Sequence, residues 1–439
     1  MTRPVSTRWF GWALGGVGLG ALLIRLIYIL GFRQDHVFGG DAFFYHAGAN
    51  LLADGKGFIS PFQPHRAIQA GVHPPLYLLY LAIPSVFGFT SVLTHLVWSA
   101  FLGTATVVVV GLIGREVRGP RAGLIAAVIA AIYPNLWVPD GSLMIESMAI
   151  FTTALAVYFA YRYWHDPRWW RLGLVGLASG AGALSRSELI LIVPFMVIPL
   201  AVVARGISRR DRWRGAGAAI CAALVVMAPW VVFNLTRFEN PEPMGTAFGP
   251  LLSSANCDQV WRGATKSYFL VQCSVDIRDR EIHGDPDESE TDAIYRRAAL
   301  RYIANHKHLI PGVVAARLGA IVGLYQPNVQ ISLDSTIEGR EIELARLGLY
   351  SFWVLAVCSV FGAVLIRRKR EVPVFPLLVP PVIVALTVVV TYASTRFRAS
   401  SEVVLCVLAA VALDWAFARA LGTPATPDSG VDARTPLPL

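Results

Sequence analysis

Charged residues are scarce in this 439-residue sequence. Asp, Glu, Lys and Arg together make up 15% of the chain, whereas soluble domains carry about 25%. Hydrophobic residues make up 55%, and apolar runs of about 20 residues recur along most of the length, as in polytopic membrane proteins. The net charge of +9 does not indicate a nucleic-acid partner, because the Lys and Arg residues cluster in short loops between apolar runs, as membrane orientation requires.

Cysteines are also few, and three of the five, Cys221, Cys358 and Cys406, fall inside apolar runs as small apolar fillers. Cys257 and Cys273 differ, because both lie in a polar segment with 15 residues between them. No nearby Cys or His completes a metal-ligand spacing, so a metal pair is the weaker alternative. We expect a disulfide, which would stabilise the protein by about 3 kcal/mol in the chain-entropy model and indicates an oxidising compartment.

We expect no cleavable signal peptide, since the apolar run 9–32 is too long for an h-region and has no small-residue cleavage site. The basic N-terminus (Arg3 and Arg8) and the basic loops 115–121, 162–171, 205–214 and 367–370 are expected on the cytoplasmic side. Ten spans satisfy all of these positions and leave both termini inside. They are residues 9–32, 91–114, 121–139, 143–163, 171–186, 188–205, 215–234, 344–366, 372–392 and 400–420.

Two apolar stretches, 74–88 and 309–325, are left over. Each is short for a hydrocarbon core of about 30 Å, so we expect helices that lie at the outer surface or re-enter it. Twelve spans are the alternative, but the two additional crossings would each conflict with the placement of basic loops on the cytoplasmic side.

These spans divide the chain into four parts. A membrane module, 1–234, carries an outer loop at 33–90, and an extracytoplasmic segment with an interfacial helix follows at 235–343. The C-terminal membrane helices occupy 344–420. The tail, 421–439, is rich in Pro, Thr and Asp and is predicted to be disordered in the cytoplasm.

Polar residues gather at helix ends on the predicted outer face. Charges near membrane depth are costly unless paired or hydrated, and they often mark a functional cavity. A carboxylate can take a proton from an acceptor hydroxyl, and arginines bind phosphate bidentately. The combination therefore suggests group transfer from a lipid-phosphate donor. The residues are Asp41, Tyr45, His46, His73, Asp140, Glu146, Arg186, Glu188, Arg396, Arg398 and Glu402.

Several of these residues have a structural alternative. Asp41 would also suit the N-cap of the helix that follows it. Glu146 would also serve only to neutralise an arginine. Arg396 and Arg398 would also serve as orientation or headgroup anchors, and His73 as a structural loop residue.

The order and spacing of seven short motifs resemble glycosyltransferase family 39 of the GT-C superfamily, which includes protein O-mannosyltransferases and the aminoarabinose transferase that modifies lipid A. The likeness covers about the whole chain, and the segment 256–273 with 302–306 and Arg317 is similar to a subgroup common in actinobacteria. The motifs are Gly-Asp-Ala-Phe-Phe-Tyr-His-Ala-Gly (40–48), Asp-Gly-Lys-Gly-Phe (54–58), His-Pro-Pro-Leu-Tyr (73–77), Gly-Pro-Arg-Ala-Gly-Leu (119–124), Ser-Leu-Met-Ile-Glu-Ser (142–147), Ala-Leu-Ser-Arg-Ser-Glu (183–188) and Thr-Arg-Phe-Arg (395–398).

The resemblance implies an all-α GT-C fold with about ten transmembrane helices and an inverting transfer from a polyprenyl-phosphate sugar. By this likeness Asp41 is the general base and Glu146 a supporting acid. The sequence departs from the family pattern at Ala42, because many members have Asp-Glu where this chain has Asp41 followed by Ala42. No cofactor is implied with certainty, and a divalent metal stays open without a supporting motif. The substrate-binding set is Tyr45, His46, His73, Arg186, Arg396 and Arg398.

The leading interpretation is a multi-pass enzyme of the plasma (inner) membrane with its site on the extracytoplasmic side. Its acceptor would be a glycolipid, a polysaccharide or a protein. A transporter or flippase of lipid-linked saccharides is one alternative, which would require polar groups at mid-membrane depth. A non-catalytic scaffold of the same fold is the other.

Overall fold

A computed structural model describes residues 7–34, 36, 39–204 and 206–422. Within these ranges the ordered elements are helices, with one isolated β-bridge between Ile59 and Gln69. The first ten helices are α1 (Thr7–Tyr28), α2 (Gly40–Ala53), α3 (Leu76–Val86), α4 (Val92–Arg118), α5 (Pro120–Ile132), α6 (Pro134–Trp137), α7 (Glu146–His165), α8 (Trp169–Ala183), α9 (Ile198–Val203) and α10 (Arg209–Arg237). The others are α11 (Phe248–Ser254), α12 (Asp258–Arg262), α13 (Val271–Glu281), α14 (Glu288–Asn305), α15 (Ile310–Ile321), α16 (Pro327–Glu338), α17 (Ile342–Lys369), α18 (Phe375–Val390) and α19 (Thr395–Ala420).

Within the described part of the chain, five helices are long and apolar enough to cross a membrane: Arg8–Arg33, Val92–Arg118, Arg209–Arg237, Ile342–Lys369 and Thr395–Ala420. The other five predicted spans overlap helices that are shorter or less apolar, which are α5, α7, α8, α18 and an interrupted helix at 187–203. That last helix combines a 3₁₀ turn, a π-helical turn and α9. The predicted fold class, an all-α polytopic membrane protein, is confirmed.

The two leftover apolar stretches form α3 and α15, which have 11 and 12 residues. At a rise of about 1.5 Å per residue they are about 17 and 18 Å long, well short of a hydrocarbon core of about 30 Å. Their lengths favour a surface or re-entrant placement over two further crossings.

The basic loops meet at one end of the bundle. Arg162, in the last turn of α7, lies 3.6 Å from Glu116 near the end of α4. Arg118 Nε lies 3.1 Å from Asp414 Oδ2, near the end of α19. Since α4, α7 and α19 all finish at this end, their first residues lie at the opposite end of the bundle. Arg3, Arg205 and residues 423–439 fall outside the described residues, so the predicted disordered tail is described only at the turn 421–422.

Helices α8 and α10 approach each other closely through glycine. A Cβ added to Gly176 would lie 2.0 Å from the carbonyl oxygen of Ala219, and one added to Gly180 would lie 2.7 Å from that of Ala223. Small residues four apart let membrane helices pack backbone to backbone. This contact holds α8 in place, and α8 leads directly to Arg186.

Replacing Gly176 with Ala is expected to destabilise the protein by about 1–3 kcal/mol, as overpacking does. Gly217→Ala on α10 is the control, because nothing lies within 4 Å of its added Cβ and Ala favours a helix over Gly by up to about 1 kcal/mol. Thermal unfolding of both variants in detergent measures the difference. Equal melting temperatures would contradict the close approach of the two helices.

A buried ion pair ties α1 to the turn before α7. Arg25 Nε lies 2.7 Å from Asp140 Oδ2, and the two side chains are 0% and 1% exposed. Gly103 leaves room for the pair, since a Cβ there would lie 1.8 Å from Asp140 Oδ2. Pro139 opens the 3₁₀ turn that carries Asp140, and proline has no backbone N–H with which to continue a preceding helix. The chain therefore restarts as a new helix at Glu146.

Candidate functional site

Asp41 lies in the first turn of α2 and points into a cavity. The N-cap of α2 is Gly39, which has an extended backbone, so the alternative in which Asp41 caps the helix is wrong. Asp41 Oδ2 lies 2.8 Å from Arg396 Nη2, and Oδ1 lies 3.4 Å from His73 Nε2. Its side chain is 33% exposed. Burial alone would raise the pKa of Asp41, but the charges of Arg396 and His73 outweigh it and hold the pKa below its ordinary value.

A chain of ion pairs continues from Asp41. Arg396 Nε lies 2.8 Å from Glu146 Oε1, and Arg186 Nη1 lies 2.9 Å from the same oxygen. Arg186 Nε in turn lies 2.7 Å from Glu188 Oε1. The beginnings of α2, α7 and α19 and the end of α8 thus meet through one charge network at the end of the bundle opposite the basic loops.

Glu146 lies beneath the cavity and does not line it. Its side chain is 0% exposed, and Oε1 receives both arginines. The structural alternative, in which it neutralises Arg186, is therefore incomplete, because Glu146 also holds Arg396 beside Asp41. Its place in the network suits a positioning residue, since no substrate atom could reach it without moving an arginine.

The cavity has a volume of about 610 Å³. Several of its lining side chains are apolar, and two of them, Leu386 and Val390 on α18, are 42% and 52% exposed. Leu378 and Val382 continue the same face of α18 at a spacing of four residues and are also exposed. The cavity therefore opens sideways onto an apolar surface. The predicted base and four residues of the predicted substrate-binding set line it, namely Asp41, Tyr45, His73, Arg186 and Arg396, and so does Glu188.

Besides Glu146, two residues of the predicted substrate-binding set do not reach this cavity. His46 Nδ1 lies 3.0 Å from His95 Nδ1, and burial lowers the pKa of His46. Arg398 pairs with Glu402 and stacks 3.7 Å from the centre of the Phe352 ring. Both residues point away from the cavity because successive side chains on a helix are rotated by about 100° about its axis. His46 follows Asp41 by five residues and Arg398 follows Arg396 by two, so each points away from the face that carries its neighbour.

Tyr45 follows Asp41 by four residues and shares its face of α2. Its ring contacts that of His73 at a centroid distance of 5.0 Å. The hydroxyl is buried and has no hydrogen-bond partner among the described residues. Tyr45 can therefore donate a hydrogen bond to a molecule in the cavity.

Sequence reasoning missed Glu338, which flanks Arg396 from α16. Its Oε1 lies 3.8 Å from Arg396 Nε, and its Oε2 lies 2.9 Å from Arg340 Nε. Burial raises the pKa of Glu338 to about 7 against the opposing charge of Arg340. A sequence signal existed in the pair Asp334 and Glu338, whose spacing of four residues puts two acids on one helical face.

The residues at the site do not fit a divalent metal. Both oxygens of Asp41 already face a cationic or basic group. Within the described ranges, no group of three or more His, Cys, Asp or Glu side chains could hold a metal ion. A metal centre needs several such ligands, so we assign no step to one.

Cys257 and Cys273 form a disulfide next to α12. Both pack in a small apolar cluster with Val260, Trp261 and Val313. The bond closes a loop with a sequence separation of 16 within the 235–343 segment, parts of which line the cavity.

Reduction of this disulfide is expected to destabilise the protein by about 3 kcal/mol in the chain-entropy model. The melting temperature should therefore fall when the purified protein is treated with reductant, and Cys257→Ser should show the same fall without it. A Cys358→Ser variant is the control, since Cys358 is a free cysteine. A reductant effect that persists in Cys257→Ser would contradict the assignment.

Comparison with known proteins adds a family match. Residues 72–233 match the family described as dolichyl-phosphate-mannose-protein mannosyltransferase. The match contains His73, Glu146 and Arg186, whereas Asp41 and Arg396 lie outside it. No curated protein sequence matches the chain.

Solved structures share the fold at low sequence identity. The apo oligosaccharyltransferase of Archaeoglobus fulgidus is 15% identical with a TM-score of 0.56, over 95% of this chain and 52% of that one. AglB from the same organism, in complex with an inhibitory peptide and a dolichol-phosphate, is 18% identical with a TM-score of 0.56, over 98% and 53%. ArnT from Cupriavidus metallidurans, bound to undecaprenyl phosphate, is 13% identical with a TM-score of 0.46, over 92% and 79%.

The chain spans about half the length of the A. fulgidus oligosaccharyltransferases, so their fold is what it shares with them. Residues 72–233 are thus similar to a mannosyltransferase family, and the described helices are arranged as in these oligosaccharyltransferases.

Proposed function

We propose that the protein transfers a sugar from a polyprenyl-phosphate donor to a hydroxyl group of an acceptor outside the cytoplasm. The observation that carries the proposal is Asp41, an ionised and partly exposed carboxylate at the cavity, held between Arg396 and His73. A cavity that combines this carboxylate with two arginines and an apolar opening suits an acceptor hydroxyl, a phosphate and a lipid together.

The donor phosphate would bind near Arg186 and Arg396, since guanidinium groups bind phosphate bidentately. The polyprenyl chain would leave the cavity along the apolar face of α18 that starts at Val390 and Leu386. AglB, which shares the fold, has been solved with a dolichol-phosphate, a lipid of the same chemical class.

In the proposed reaction, Asp41 takes the proton of the acceptor hydroxyl as its oxygen attacks the anomeric carbon. The bond from that carbon to the phosphate oxygen breaks, and its electron pair leaves with the polyprenyl phosphate. The arginines stabilise the charge that develops on the leaving phosphate. Attack on the face opposite the leaving group inverts the anomeric centre.

The site would face the extracytoplasmic side of the plasma (inner) membrane. The basic loops lie at the other end of the bundle, and basic loops favour the cytoplasm. A disulfide in the 235–343 segment agrees with this orientation, since disulfides persist in oxidising compartments. The acceptor would then be a glycolipid, a polysaccharide or a protein.

The proposal is tested by incubating the purified protein in lipid nanodiscs with synthetic polyprenyl-phosphate sugars, one sugar at a time. Release of polyprenyl phosphate is followed by mass spectrometry, and the anomeric configuration of the product by NMR. An inverted product from at least one donor is expected. Movement of intact donor across a sealed vesicle without release of polyprenyl phosphate would instead support a flippase.

A further inference from the structure

The far wall of the cavity comes from the 235–343 segment. Seven residues of the stretch 242–251, between α10 and α12, line it together with Arg296 on α14. This wall contains no residue of the charge network around Asp41. The cavity thus has two chemically distinct sides, one from the membrane helices and one from this segment.

A charged pair lies on the far wall. Glu242 Oε1 is 3.1 Å from Arg296 Nη1, and Arg296 Nη1 is also 3.3 Å from Asp292 Oδ2. Glu242 is 8% exposed and Asp292 0%, whereas Arg296 is 35% exposed. The guanidinium is therefore anchored from behind by a buried acid, while it and the Glu242 carboxylate border the cavity side by side.

An aromatic surface lies beside this pair. Phe248 lines the cavity, and its side chain is 44% exposed. The beginning of α11, which carries it, is fixed against α14, because Gly249 N donates to Asp292 Oδ1 and a Cβ on Gly249 would lie 2.1 Å from the Asp292 carbonyl oxygen. The wall is thus preorganised around one acceptor group, one donor group and one exposed ring.

Three backbone groups of this wall already take part in hydrogen bonds within the protein. Met244 O accepts from Trp230 Nε1 at 3.0 Å, and Thr246 N donates to Gly71 O at 2.9 Å. Gly249 N donates to Asp292, as described above. Peptides are commonly bound in extended form through free backbone groups, so recognition on this wall falls to the side chains.

We infer that the wall formed by Glu242, Phe248 and Arg296 is an acceptor subsite that binds a saccharide. Neighbouring sugar hydroxyls both donate and accept hydrogen bonds, which matches a carboxylate beside a guanidinium. The apolar face of a sugar ring packs on an aromatic ring, as expected where a pocket combines apolar surface with a few polar groups. Its role as acceptor subsite rests on the proposed transfer, whereas the binding of a saccharide does not.

The test measures binding directly by saturation-transfer-difference NMR on the protein in lipid nanodiscs, because glycoside detergents would themselves occupy the subsite. The probes are methyl α-mannoside, methyl α-glucoside, methyl β-galactoside and a Ser/Thr-containing peptide. At least one methyl glycoside is expected to bind, and Glu242→Gln and Phe248→Leu are each expected to weaken its binding at least tenfold.

Glu281→Gln is the matched control, because Glu281 also pairs with an arginine of α14, Arg301, but is not among the residues that line the cavity. It should bind the glycoside as the wild type does. Absence of glycoside binding by the wild type, unchanged binding by both cavity variants, or binding of the peptide alone would overturn the subsite.

Donor turnover, measured on the same samples, separates this inference from the proposed function. Binding that depends on Glu242 without release of polyprenyl phosphate would retain the saccharide subsite and refute the transfer. Release of polyprenyl phosphate together with glycoside binding that ignores Glu242 and Phe248 would retain the transfer and refute the subsite.

Discussion

Asp41→Asn is expected to lower the rate of sugar transfer by about 10²–10⁴-fold, the usual contribution of a general base. Asparagine has the same size and can still accept a hydrogen bond from Arg396, so the cavity should keep its shape. It cannot take a proton from an acceptor hydroxyl. The measurement is single-turnover transfer from a polyprenyl-phosphate sugar at saturating donor, with thermal unfolding of the same sample as the check on folding.

Asp54→Asn provides the control for this prediction. Asp54 is the C-cap residue of the same helix, α2, and its side chain is 61% exposed beside Lys56. An exposed pair of this kind contributes little to stability, so transfer and melting temperature should match the wild type. Transfer at the wild-type rate by the Asp41 variant would remove Asp41 from the role of base.

The low pKa of Asp41 gives the base a wide working range. Because Arg396 and His73 favour the ionised form, the carboxylate remains deprotonated throughout the neutral range. A loss of activity between pH 8 and pH 5 would therefore have to come from another group. A carboxylate with so low a pKa is also a weaker base, so it acts best as the attacking oxygen acidifies in the transition state.

The convergence of Asp41, His73, Arg186 and Arg396 could be predicted from the sequence because each lies in a predicted outer loop or at the outer end of a predicted span. Once the basic loops fix one end of every helix, these four residues must share the other end. The argument needs only the direction of each helix. It does not need the angle at which a side chain leaves its axis.

That angle explains where the predictions for His46 and Arg398 differ from the structure. Membership of a motif brought both residues into the predicted set, but rotation by about 100° per residue turns them away from Asp41 and Arg396. His46 instead lies against His95, and Arg398 against Glu402. Proximity in sequence is therefore a poor guide to proximity at a site when the residues lie on one helix.

Glu242, Arg296 and Glu338 could not be placed from the sequence for a different reason. Glu242 and Arg296 reach the cavity, and Glu338 reaches Arg396, from loops and helices of the 235–343 segment, where no long apolar period fixes direction. Glu242 meets Arg296 across 54 positions of the chain. Contacts over such separations follow from tertiary packing, which local pattern does not encode.

Glu146 is a buried carboxylate that pairs with two arginines of the site, so its replacement is expected to cost stability. Its carboxylate is 0% exposed and its Oε1 receives both Arg186 and Arg396. Ionised groups buried without a partner are strongly unfavourable, and removal of one partner from a buried pair costs about 3–5 kcal/mol. Arg396 retains Asp41 as a partner and Arg186 retains Glu188, which limits the loss.

Glu146→Gln is accordingly expected to destabilise the protein by about 3 kcal/mol, the lower end of that range, and to slow transfer because Arg396 keeps Asp41 as a partner but loses the ion pair with Glu146 that fixes its position. Glu116→Gln is the control, since Glu116 is 20% exposed and pairs with Arg162 at the other end of the bundle, and its loss should cost less than about 1 kcal/mol. Thermal unfolding and transfer rate are measured for both.

The double variant Glu146→Gln with Arg186→Met tests the same role of Glu146. In Glu146→Gln the Arg186 guanidinium has lost one of its two carboxylate partners, so replacing it with Met should restore part of the stability while transfer stays slow. If Glu146→Gln is as stable and as active as its control Glu116→Gln, Glu146 does not position the arginines.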